Sequence, residues 1–357
     1  MSKKINLKAL SKDEISGFME QQGLPKYRTD QLLDWLYVRY AASLDDITEF
    51  SKDLRKRLGG IACIGNLQLV KRQQSSDGTE KFLFELEDGQ TIESVLIPDK
   101  DRLTLCISSQ VGCAMGCRFC LTGKSGLIRN LRAWEIVEQI LSVNRLIMPK
   151  KITNIVFMGM GEPLANFDEV VEALKRIISY FGISKRRITL STSGLAPKIL
   201  ELPGRAPEVN LAISLNATTD AVRDRLMPVN KKYPIRSLLE ACGKFPLRPR
   251  RMLTFEYVLI AGVNDSVEDG SRLVRLLRGL RCKVNLIPLN PPDPHAGSDL
   301  QRPSDAAVLA FQKVLEENNV TVLVRESKGQ DILAACGQLR GRYSVERAAA
   351  GRQERRG

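Results

Sequence analysis

Apolar positions in the first 60 residues recur at helical intervals. Ser11 and Glu14 fit a capping box ahead of Ile15, Phe18 and Met19. Further helices are predicted from about residue 27 to 40 and around 51 to 58. Next come LQLVKR, EKFLFEL and TIESVLI, which alternate apolar and polar residues. The turn dipeptides Asp77-Gly78 and Asp88-Gly89 separate them, so they read as an antiparallel meander. From residue 103 the pattern changes to short apolar runs, predicted as strands: LTLCIS (103–108), TNIVFM (153–158), RITLST (187–192), VNLAISL (209–215), MLTFEYVLI (252–260), KVNLIPL (283–289) and VTVLVRE (320–326). Amphipathic stretches lie between them, notably 133–146, 169–180, 267–278 and 306–317. Strand then helix, repeated, predicts α/β architecture with parallel βα units, whose ligand sites lie at strand carboxyl ends. The chain then divides into a basic helical accessory module (1–62), a meander linker (63–101), a catalytic core (102–338) and a basic tail (339–357).

Composition narrows the partner. Lys and Arg number 54 against 41 Asp and Glu, a net charge of +13. Such an excess favours a polyanion, nucleic acid first, through counterion release, although solubility alone also accounts for it. Candidate phosphate contacts are Lys185, Arg186 and Arg187, then Arg248, Arg250 and Arg251, and the basic residues of the helical module. The tail has six arginines against two glutamates from residue 340 on, and reads as disordered. No apolar run is long enough for a membrane span and no secretory signal opens the chain, so a soluble, cytoplasmic protein is expected.

Eight cysteines in such a chain are ligands, nucleophiles or buried apolar residues rather than a disulfide framework. The single histidine, His295, sits in a Pro/Gly-rich loop and reads as surface. Cys113, Cys117 and Cys120 stand C-x3-C-x2-C in the loop after the first core strand. Thiolates select zinc, copper(I) or iron-sulfur. Zinc sites favour paired cysteines and four protein ligands, and no second pair exists, although Cys106 could serve as a fourth ligand. Three close cysteines leave one iron of a four-iron cluster open.

That open iron gives the spacing its resemblance to the radical S-adenosylmethionine superfamily. The longer motifs LCISSQVGCAMGCRF, GMGEPLANF, STSG and AACGQL resemble the RlmN/Cfr family of RNA adenine methyltransferases, and its RlmN branch more closely. The resemblance implies a partial (β/α)6 barrel holding one [4Fe-4S] cluster on Cys113, Cys117 and Cys120. It also implies two S-adenosylmethionine molecules per turnover, as methyl donor and radical source. Gly161 and Glu162 would bind the methionine amino group, Ser193, Asn216, Ala217 and Thr218 its carboxylate and the ribose, and Asn290 the adenine side. Cys336 would accept a methyl, Cys106 would resolve the protein–RNA link through a transient disulfide with Cys336, and Glu93 would take the adenine proton. Read alone, Cys106 and Cys336 would be packing residues and Glu93 a solvated strand position. The implied partners are 23S rRNA, tRNA and an electron donor such as a flavodoxin or ferredoxin system, for a monomeric enzyme. Methylation at adenine carbon 2 is the reading, with Cfr-type methylation at carbon 8 as the alternative. Cys63, Cys242 and Cys282 match no motif and read as structural.

Overall fold

In the computed structural model the described residues are 4–290 and 299–341; His295 and most of the basic tail lie outside them. The N-terminal helices form as α1 (Lys12–Gln21), α2 (Tyr27–Tyr37) and α3 (Lys52–Ile61). The capping box is present: the Ser11 amide donates to the Glu14 carboxylate at 2.7 Å while the Ser11 hydroxyl accepts from the Glu14 amide. Helix α2 stops short of residue 40 because Tyr40 turns the chain with a left-handed φ of 60°. Ile5–Asn6 and Ala62–Cys63 pair in parallel and bring the ends of the module together.

A buried ion network docks this module on the core. Lys8, 1% exposed, pairs with Glu138 at 2.5 Å, and Glu138 also binds Arg145. Burial drives the Lys8 ammonium below its ordinary pKa and Glu138 draws it back. A buried cation stripped of its partner is costly. Glu138→Gln is therefore expected to lower unfolding free energy by about 3–5 kcal/mol, read from the denaturant midpoint. An unmoved midpoint would show that water reaches the pair.

The meander forms as β1 (Gln68–Gln74), β2 (Glu80–Glu85) and β3 (Thr91–Asp99), turning at Gly78 and Gly89, whose φ values of 82° and 76° favour glycine. β3 pairs antiparallel with β4 (Arg102–Cys106). From β4 the sheet runs parallel through β5 (Asn154–Phe157), β6 (Ile188–Thr192), β7 (Asn210–Ser214), β8 (Leu253–Leu259), β9 (Cys282–Pro288) and β10 (Val322–Val324). Strand order in this ten-stranded sheet is chain order throughout.

Helices connect the parallel strands: α4 (Leu121–Lys124) and α5 (Ala133–Ile147), α6 (Phe167–Tyr180), α7 (Ala196–Arg205), α8 (Asp220–Leu226), α9 (Ile235–Lys244), α10 (Val267–Leu277) and α11 (Asp305–Glu317). The apolar pattern finds α5, α6, α10 and α11. Helix α7 escapes it because Pro197 opens the helix and Pro203 interrupts its last turn.

The sheet curls. Laid flat, β4 and β9 would lie about 24 Å apart, five strand spacings. Instead Thr104 and Cys106 of β4 face the same internal space as Lys283 and Asn285 of β9. This is a partial (β/α)6 barrel, as expected. Residues 325–341 cross its open side. Asp77 accepts the Gly329 amide at 2.9 Å, Ser75 donates to Asp331 at 2.6 Å, and Lys81 reaches the Leu333 carbonyl at 3.2 Å. The segment is thereby strapped to the meander.

Candidate active site

The cysteine loop follows β4. Gln110–Gly112 pairs antiparallel with Leu127–Asn130, a ribbon so close that a Cβ on Gly112 would stand 1.9 Å from the Gly126 carbonyl. The Cys113 amide donates to that carbonyl at 2.8 Å and the Cys120 amide to Cys117 at 3.1 Å. Cys113, Cys117 and Cys120 all line one cavity at the strand carboxyl ends. Among the described residues no three Cys, His, Asp or Glu side chains are grouped to hold a single metal ion. Three thiols lining one cavity can each bind a separate iron of a multi-iron cluster and leave a further iron open.

The same cavity receives residues from successive strand ends: Gly161, Glu162, Ser193, Asn216 and Asn290. Glu162 is buried, its oxygens accepting the Ser193 amide at 2.7 Å and the Leu164 amide at 3.0 Å. Burial pushes its carboxyl above the ordinary range, against those hydrogen bonds. Gly159 and Gly161 prove to be packing glycines: a Cβ on either would come within 2.7 Å of the chain at Ile107 or Gln110. Asn290 donates to the Cys336 carbonyl at 3.2 Å, and its buried Oδ1 has no partner. A ligand hydrogen-bond donor would satisfy that orphan acceptor.

Two expected contacts lie elsewhere. Ala217 is fully buried, and Thr218 spends its hydroxyl on Asp269 at 2.6 Å, so neither lines the cavity. Ser214, two residues before Asn216, lines it instead. Asn216 takes a left-handed φ of 56° and accepts the Val258 amide at 2.8 Å, so its side chain shapes the turn. Arg223, which the sequence did not single out, ties these ends together from behind. Its guanidinium donates to the carbonyls of Ser193 at 2.7 Å and Ser214 at 3.1 Å.

Cys336 sits on the strap and lines both this cavity and a second, larger one in the barrel lumen, which Cys106 also lines. It is in no helix; its position is fixed by backbone bonds, including Leu121 N–H to the Gly337 carbonyl at 2.7 Å. The Cys336 side chain is exposed to these cavities, yet the protein walls that strip water from its thiol push it up to about 11, reinforced by Glu256 and opposed by Arg325. Cys106 is a buried strand residue whose thiol is pushed up by burial and then by neighbouring Cys336. Glu93 is also buried, not solvated. It pairs with Lys81 at 3.3 Å and accepts the Arg340 amide at 2.6 Å and the Gly341 amide at 3.2 Å. It lines neither cavity and anchors the strap. Cys242 and Cys282 are buried and Cys63 is half-buried.

Residues 107–274 match the radical SAM superfamily model, and residues 5–64 match the ribosomal RNA large subunit methyltransferase N-terminal domain. A dual-specificity RNA methyltransferase RlmN from Geotalea uraniireducens is 52% identical over 341 residues, 95% of this chain and 97% of that protein. One from Desulfosudis oleivorans is 51% identical over 334 residues, 92% and 89% of the two. A radical SAM methyltransferase crystal structure from Sphaerobacter thermophilus superposes with a TM-score of 0.90 at 43% identity, covering 94% of this chain and 99% of that one.

Proposed function

Because this chain belongs to the RlmN family of RNA methyltransferases within the radical SAM superfamily, we propose that it methylates carbon 2 of one adenine in the peptidyl transferase centre of 23S rRNA and of the adenine beside the anticodon in tRNAs. The family uses an iron-sulfur cluster and S-adenosylmethionine. Here a single [4Fe-4S] cluster would be held by Cys113, Cys117 and Cys120. When bound, the cluster and S-adenosylmethionine supply a 5′-deoxyadenosyl radical. Glu162 and Gly161 hold the methionine amino group, Ser193 and the Asn216 turn its carboxylate and ribose, and Asn290 the adenine side.

The observation that carries this reading is that Cys106 and Cys336 face one hollow beside the three-cysteine loop. Carbon 2 of adenine is too poor a nucleophile to attack a sulfonium methyl directly. Cys336, as thiolate, displaces the methyl from a first S-adenosylmethionine. Hydrogen abstraction by the radical from a second molecule leaves a carbon radical on the Cys336 thioether, which bonds to the adenine carbon. The adduct radical gives up one electron, which the oxidised cluster would accept, and its carbon-2 proton. The Cys106 thiolate then attacks the Cys336 sulfur, and the carbon–sulfur bond breaks with its pair on carbon. That carbon takes a proton to become the methyl of the released RNA, and a disulfide remains that must be reduced before the next turnover. Glu93 takes the adenine proton. Its carboxylate now holds the Arg340 and Gly341 amides, so the strap must let go of it first.

The chain works as a cytoplasmic monomer fed electrons by a flavodoxin or ferredoxin system. No helix among the described residues is long and apolar enough to cross a membrane. Anaerobic reconstitution tests the core of the reading: a brown protein that cleaves S-adenosylmethionine on reduction is expected, and a colourless zinc protein without cleavage would refute it.

A further inference from the structure

Barrel interiors are ordinarily filled by branched apolar side chains. This lumen is hollow, about 390 Å³, and its wall includes Thr104, Asn154, Thr189, Thr254, Glu256 and Asn285. Glu256 on β8 and Asn285 on β9 are registered neighbours, 7% and 8% exposed. Asn285 Nδ2 donates to Glu256 Oε1 at 2.9 Å, and its Oδ1 is buried with no partner. An unmet buried acceptor is costly to keep. Asn285 and Glu256 both line the lumen, so a turn of the Asn285 amide would bring that acceptor beside the carboxylate, a pair that suits a ligand presenting two hydrogens on one nitrogen. Lys283 and Arg325 line the same space, with Lys328, and are the cations that face Glu256.

The relay fixes where its substrate must sit. The adenine carbon has to bond to the methyl on Cys336 while Cys106 can still reach the Cys336 sulfur, so the base lies in space that both thiols face. Cys106 faces the lumen and does not line the cavity of the cysteine loop. We infer that the lumen is the adenine subsite and that Glu256 and Asn285 together read the exocyclic amino group of the base. This rests on the methylation reading above and deepens it. The carboxylate oxygen and the amide oxygen each accept one hydrogen of the amine. Guanine places a carbonyl oxygen there and would meet acceptor with acceptor. Arg325 and Lys328 suit the phosphates flanking the flipped nucleotide.

The test compares RNA stem-loops carrying adenosine or purine riboside, which lacks the amine, at the target position. The wild-type protein, Glu256→Gln and Asn285→Ala are each reconstituted and checked for cluster absorbance. The wild type is expected to prefer adenosine by roughly ten- to a hundredfold in kcat/KM, and each variant to bring that ratio to within a few-fold of one. The intrinsic reactivity of the two bases cancels between proteins, so only the amine contact moves the ratio. A wild type indifferent to the amine, or variants that slow both RNAs equally and keep its preference, would overturn the subsite. If one variant fails to take up the cluster, the other carries the same comparison. A wild type that cleaves S-adenosylmethionine yet methylates neither RNA would overturn the methylation reading itself, a result distinct from loss of discrimination.

Discussion

Cys336→Ala is expected to abolish methylation of both protein and RNA, by roughly a thousandfold or more, while cleavage of S-adenosylmethionine continues. The strap does not need the thiol. Its residues are held through the carbonyls of Cys336, Gly337 and Leu339, which accept from Asn290, Leu121 and Thr122. Alanine preserves each of those bonds, and a position exposed to the cavities loses little packing. What disappears is the only group in the scheme able to accept a methyl before the radical forms. Mass spectrometry of the protein after incubation with S-adenosylmethionine should show one added methyl in the wild type and none in the variant. Full RNA methylation by the variant would remove the relay.

Cys106→Ala should fail one step later. This variant still methylates Cys336 and still joins it to the RNA, but no thiol is left to attack the Cys336 sulfur. A covalent protein–RNA species is expected to accumulate, visible as a band shifted in a denaturing gel and sensitive to nuclease. Turnover should stop near one equivalent. The substitution removes one buried sulfur from β4, a change of about 1 kcal/mol or slightly more, so the strand should stay folded. Multiple turnovers without an adduct would show that Cys106 resolves nothing.

Much of this was legible because apolar runs and turn dipeptides report local structure directly. LTLCIS, TNIVFM and their successors became β4 to β10 with ends shifted by one or two residues, and the Asp-Gly pairs became the meander turns. The cysteine loop was legible from spacing. The strap was not, because 325–341 has no periodicity and draws its order from Asp77, Ser75 and Lys81, some 250 residues away in sequence. For the same reason Glu93 looked solvated when it is a buried anchor: the amides that cover it come from residues 340 and 341. The resemblance makes Thr218 a contact of the carboxylate and ribose, but Asp269 in the first turn of α10 claims its hydroxyl. Glu256 and Asn285 did leave a trace. Each is a polar residue inside an otherwise apolar parallel strand, where burial on both faces calls for apolar side chains. Only the curl of the sheet shows that both point into one hollow.

Transfer of a methyl to adenine carbon 2 by the two thiols around this lumen is tested most directly on whole RNA. RNA from cells lacking the gene, incubated anaerobically with the reconstituted protein, S-adenosylmethionine and a reductant, can be digested and its nucleosides weighed. We expect 2-methyladenosine, absent beforehand, to appear in both 23S rRNA and tRNA; recovery of 8-methyladenosine alone, or of no methylated adenosine, would rule out transfer to carbon 2.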